Sequence, residues 1–161
     1  MAQRKKAVVI MAAGKGTRMN SRTTKLLHRV GGRPLIHYPI ELGIALEASR
    51  IVLVLGHQRA AIEAYVQQTF KAAPIDFVVQ EEQLGTAHAV QCAQSALDGF
   101  KGDVIILSGD VPCLPSETLW ALDEIKGNCP LGLVSMRIEE ANRYGRLSRD
   151  TKGRAEAIIE Y

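Results

Sequence analysis

Ala7-Val8-Val9-Ile10-Met11 runs directly into Ala12-Ala13-Gly14-Lys15-Gly16-Thr17-Arg18-Met19. The first five residues are too few for a helix and are apolar on both faces, as expected of a strand covered from each side. The small residues that follow suit a turn in which backbone N–H groups approach an anion. Residues 51–55, 75–79 and 104–107 repeat the pattern, each an apolar run leading through a polar turn into a helix-like segment. Repeated βαβ units predict an α/β fold, Rossmann-like and doubly wound, with a mostly parallel sheet.

Between the first two strands, Leu35, Ile36, Ile40 and Ile44 fall on one helical stripe, with Pro39 either near the helix start or at a kink. Residues 60–70, 86–97 and 116–125 supply the other helices, and Ser116 is placed to cap the last of them after Pro115. Beyond Pro130 the pattern changes. Residues 131–138, 144–149 and 154–161 read as strands, the last two joined by a turn at 150–153 into a C-terminal β-hairpin. The 161 residues fit one domain.

Hydrophobic residues at 47% and charged residues at 23% are ordinary globular usage. The net charge of +3 is scattered along the chain and makes no nucleic-acid footprint. Arg4, Lys5 and Lys6 before an apolar run resemble a targeting peptide, but Lys15 and Arg18 end that run too early. No apolar stretch approaches the ~20 residues that cross a bilayer. Three cysteines, Cys92, Cys113 and Cys129, without a C-x-x-C pair predict reduced thiols and a cytoplasmic protein. His28, His37, His57 and His88 lack a metal-ligand spacing and read as surface or helix-packing residues.

Strand ends hold the chemistry in such folds. The first loop is not G-x-G-x-x-G, because Met19 stands at the third glycine, and it is not a Walker A loop. It reads as a triphosphate loop, with a plain tight turn as the alternative. Lys25 is spaced to bring an ammonium over the phosphates, or is simply solvated. Ser108-Gly109-Asp110-Val111-Pro112 puts a carboxylate at the sheet's carboxyl edge, either holding Mg²⁺ or stabilising the turn before Pro112. Gln80 ends a strand and offers a donor and an acceptor, suited to a uracil edge; a surface amide is the alternative. A nicotinamide-linked dehydrogenase is disfavoured because the second strand ends in Leu55-Gly56-His57 without an acidic residue.

Taken in order, Ala12-Ala13-Gly14-Lys15-Gly16-Thr17-Arg18-Met19, Lys25, Gln80-Glu81-Glu82-Gln83-Leu84-Gly85-Thr86-Ala87-His88-Ala89, Gly109-Asp110-Val111-Pro112 and Tyr144-Gly145-Arg146 resemble bacterial N-acetylglucosamine-1-phosphate uridylyltransferases. The resemblance runs over residues 7–161. It implies that the backbone of Met11, Ala12, Ala13 and Gly14 and the side chain of Lys25 hold UTP, and that Gln80, Gly85 and Thr86 recognise uracil. It puts Mg²⁺ on Asp110 and the sugar-1-phosphate near Gly145 and Glu160. Screening of two anions assigns Arg18 and Lys25 to catalysis, and Ser108, Gly109 and Asp110 at the strand end join the expected substrate-binding set. Ser108 departs from the aromatic residue often found before Gly-Asp, which affects sugar packing. The family's catalytic domain continues further, with an acceptor-side Asn and a second metal ligand. The expectation is therefore an incomplete nucleotidyltransferase domain that binds nucleotide with little turnover and self-associates through its truncated C-terminal edge. Rival readings are a nucleotidyltransferase for another base or acceptor, and a non-catalytic nucleotide-binding module.

Overall fold

The computed structural model describes residues 4–14, 16, 19, 21, 23–56, 59–139 and 144–159. Residues 1–116 and 117–161 form two compact units. The first carries β1 (Lys6–Ala12), β2 (Arg29–Val30), β3 (Arg33–Pro34), α1 (His37–Ala45), β4 (Arg50–Leu55), α2 (Arg59–Thr69), β5 (Ile75–Val79), α3 (Thr86–Cys92) and β6 (Asp103–Ser108). The sheet order is β5-β4-β1-β6, with every neighbouring pair parallel. This is the mostly parallel α/β sheet expected from the apolar runs.

Its centre is apolar on both faces because helices cover both. Val8 lies beside Ile51 and Val9 beside Val52 in the β1–β4 register. On one face α1 crosses so closely that a Cβ on Gly43 would come within 3.1 Å of Ile51 Cδ1 and 3.6 Å of Val8 Cβ. On the other, Val9, Val52 and Val54 pack with Ala89 of α3 and Ala93 just beyond it. From β1 the chain builds outward through β4 and β5, then returns to place β6 on β1's other side. This reversal opens a crevice at the carboxyl ends of β1 and β6.

α1 starts at His37, so Pro39 stands near the helix start, the first of its two expected places, where its missing N–H leaves no helical bond unmade. Other elements depart from expectation. Ile36 and Ile40 are buried but Ile44 is exposed, so the stripe does not run the full helix. α3 ends at Cys92, and only a 3₁₀ turn over Ser95–Leu97 continues it. β6 is not covered on both faces: Val104 and Ile106 are 43% and 48% exposed. The β2–β3 hairpin was not anticipated. Gly31 and Gly32 have φ of 57° and 83°, and these positive values at both central residues give the tight turn its twist.

The second unit contains α4 (Ser116–Lys126) from Glu117 onward, β7 (Arg146–Arg149) and β8 (Ala155–Ile159), the last two paired antiparallel. α4 begins at Ser116 itself. Asp150 organises the hairpin turn: Oδ1 accepts from the Lys152 and Arg154 amides at 2.9 Å each, and Oδ2 from Arg154 Nε at 2.8 Å. Those donors hold its carboxyl below the usual carboxylate range. Residues 131–138 make no strand pairing, contrary to expectation. β-propensity supplies no ladder without a neighbouring strand. Among the described residues, no helix is long and apolar enough to cross a membrane.

Candidate functional site

A cavity of about 450 Å³ opens beside β1 and β6. Its lining includes Met11 to Gly14, Lys25, Gln80, Gly85, Thr86, Ser108 and Asp110. Its volume suits a small-molecule ligand. Two glycines shape its surroundings. Gly109 donates its N–H to the Met11 carbonyl at 2.9 Å and so ties the end of β6 to the end of β1. Gly16, at φ 59°, passes so close to Lys25 that an added Cβ would stand 2.8 Å from the lysine's own Cβ.

Lys25 opens a 3₁₀ turn over Lys25–Leu27. The turn is anchored because Leu26 is buried and its carbonyl accepts from the Ile36 amide at 3.1 Å. From there the ammonium forms an ion pair with Asp110 Oδ2. Both side chains remain about one-third exposed, at 33% and 36%. A cation and an anion are thus held ready at one edge, the first suited to a phosphate and the second to a divalent ion.

Gln80 leaves β5 with its amide N–H bonded to the Leu55 carbonyl at 2.8 Å, and the residue is only 3% exposed. Its Nε2 lies 3.1 Å from the Gly85 carbonyl and 3.1 Å from His88 Nδ1. Nε2 thus donates one N–H to the Gly85 carbonyl and turns its other toward His88 Nδ1. Gly85 has φ 102°, and nothing stands within 4 Å of the position its Cβ would take. Thr86 follows as the first residue of α3.

Residues 8–127 match the model of the MobA-like NTP transferase domain. The chain belongs to this family. It is 47% identical over 156 residues to the bifunctional protein GlmU of Anaeromyxobacter dehalogenans, covering 96% of this chain and 32% of that protein. The chain thus spans about a third of the length of the curated relatives it matches. HddC from Yersinia pseudotuberculosis, solved with GMP-PN, aligns with a TM-score of 0.73 at 26% identity, covering 96% of this chain and 68% of that one. A UDP-glucose pyrophosphorylase solved with UDP-glucose aligns at 0.75 and 20% identity, covering 97% and 69%, which is a likeness of fold.

Within this nucleotidyltransferase fold, Met11, Ala12, Ala13, Gly14, Lys25, Gln80, Gly85, Thr86, Ser108 and Asp110 line one cavity. Gly109 lies behind it as the backbone tie. Gly145 belongs to the second unit, exposed just before β7. Arg18, Glu160 and His57 lie outside the described residues. Sequence reasoning passed over Gln83, whose Nε2 donates to the Ala13 carbonyl at 2.6 Å. A Cβ on Gly56 would stand 2.7 Å from the same oxygen. No spacing rule exposes that contact, because the partners are 70 residues apart. All three cysteines are free.

Proposed function

We propose that this chain carries the nucleotide side of a site that transfers uridylyl from UTP to N-acetylglucosamine-1-phosphate. The products are UDP-N-acetylglucosamine and pyrophosphate, for cell-envelope precursor synthesis in the cytoplasm. The observation that carries the reading is the gathering of the Met11–Gly14 loop, Lys25, Asp110 and the acceptor face of Gln80 around one cavity. The 47% identity to a GlmU protein supports the sugar class.

A phosphate oxygen of the sugar phosphate attacks the α-phosphorus of UTP. As that bond forms, the bond to the β-phosphate's bridging oxygen breaks and pyrophosphate leaves with the electron pair. The nucleophile needs no general base, since a phosphate monoester with a second pKa of ~6 is largely dianionic near neutrality. The work of the site is alignment and charge neutralisation. Loop amides and Lys25 hold the triphosphate, with Arg18 adding charge, while Ser108 and Gly109 serve the acceptor. Asp110 fits Mg²⁺ as the one carboxylate among the described lining residues, since this ion commonly takes one or two carboxylates plus substrate phosphates. Bound there, Mg²⁺ would screen the repulsion between the two phosphates.

Calorimetry of residues 1–161 against UTP, CTP, ATP and GTP with magnesium tests the reading. UTP should bind tightest. Lys25→Ala should weaken it by about 10- to 100-fold, the scale of a charge-assisted phosphate contact of ~1.5 to 3 kcal/mol, with an unchanged circular dichroism spectrum. Pyrophosphate release with the sugar phosphate should be slow, because acceptor alignment can carry ~7 to 11 kcal/mol of a barrier. Equal affinity for UTP and ATP would remove the assignment.

A further inference from the structure

We infer that His88 is the positioning residue behind base choice: by holding the Gln80 amide nitrogen, it leaves Oε1 toward the cavity and selects a base with an N3–H donor, uracil over cytosine. The inference rests on the uridylyl reading above.

The Gly85 carbonyl can only accept, so the atom 3.1 Å from it must be the Gln80 nitrogen. The same nitrogen lies 3.1 Å from His88 Nδ1, which accepts the second N–H when the imidazole is neutral and carries its proton on Nε2. That Nε2 faces Cys92 Sγ at 3.8 Å, a weak acceptor one helical turn on. Flipping the amide would set Oε1 against the Gly85 carbonyl and the Nδ1 lone pair together. With the amide nitrogen turned to Gly85 and His88, Oε1 is the amide atom left for the cavity that Gln80 lines.

The support is stiff. Gly85 also accepts from the Ala89 amide at 3.2 Å, which fixes the start of α3. Ala89 and Ala93, 4% and 0% exposed, pack on Val9, Val52 and Val54 of the central strands. His88 is therefore carried on a seated helix, and Gln80 is held through its backbone to β4. Uracil presents N3–H to an acceptor, whereas cytosine presents an N3 lone pair. A fixed Oε1 rewards the first and repels the second.

Calorimetry with UTP and CTP on the wild-type chain, His88→Ala and His88→Asn tests this, together with the ¹⁵N tautomer signature of neutral His88 at alkaline pH. The wild type should prefer UTP. His88→Ala should reduce the UTP:CTP preference by about 5- to 10-fold, the worth of one hydrogen bond. Tripolyphosphate affinity should stay unchanged. His88→Asn, whose Oδ1 accepts in place of Nδ1, should restore much of the preference, and His88 should carry its proton on Nε2. A wild-type preference for UTP that His88→Ala leaves intact overturns the role of His88 and spares the uridylyl reading. A wild type without UTP preference overturns both. Should His88→Ala fail to fold, an Nδ1–H tautomer or a His88→Asn chain that loses the preference overturns the inference.

Discussion

Ala13 is the residue through which the loop after β1 is tied to the rest of the first unit. It is only 8% exposed, its carbonyl accepts from Gln83 Nε2 at 2.6 Å, and Gly56 backs the same oxygen so closely that a Cβ would stand 2.7 Å away. Gln83→Leu removes the donor and frees the loop to sample other shapes. It should weaken UTP binding by about 5- to 10-fold, one hydrogen bond's worth, while the melting temperature changes little. Gly56→Ala should cost both affinity and stability, because a backbone oxygen cannot move aside as a side chain can. Calorimetry and thermal melts on the two variants check this, and wild-type affinity in Gln83→Leu would exclude the tether. At this scale Lys25 and Asp110 were visible in the sequence as residue types, whereas their ion pair was not, since the partners lie 85 residues apart. The direction of the Gln80 amide was not, because the Gly85 carbonyl and His88 set it, and neither partner is implied by a glutamine at a strand end.

At the scale of elements, α1 and α2 meet through a titratable group. His37 Nδ1 lies 2.7 Å from the Tyr65 hydroxyl, and its ring centroid is 4.9 Å from that of Phe70. Burial pushes the imidazole below its ordinary value of 6.5, with Glu41 opposing the shift and Arg33 adding to it. In the window between the folded and unfolded values, the unfolded chain binds more protons, so stability rises with pH. The contribution of neutral His37 is complete above about 6.5, the unfolded value, and is lost as pH falls through the depressed folded value. His37→Gln should therefore flatten the acid side of a melting-temperature profile relative to the wild type. Parallel profiles would show that His37 does not report this helix contact. Element existence was legible wherever burial on both faces left a continuous apolar run, as in β1 and β4. The β2–β3 hairpin was missed because two-residue strands have no periodicity to detect. Residues 131–138 were read as a strand because side-chain type signals a preference while pairing needs a neighbour.

For the molecule as a whole, the two units differ in how their sheets are closed. In the first, β1 and β4 are flanked on both edges and covered on both faces. In the second, among the described residues, β8 pairs with β7 alone, all five of its residues are exposed, and Ile158 and Ile159 are each 58% exposed. A lone two-stranded hairpin is marginal in water, and an apolar strand with an open edge is a template for another strand. A second copy of the chain is the simplest source of one. Sedimentation velocity of residues 1–161 should therefore record reversible, concentration-dependent association. Ile158→Lys with Ile159→Lys should hold the chain monomeric, since lysine on an edge strand opposes pairing. UTP affinity should be unchanged in that variant, because every described residue lining the cavity of the proposed nucleotide site belongs to the first unit. A wild-type chain that stays monomeric at every concentration would defeat the edge-pairing account, and a double variant that associates as before would move the contact elsewhere.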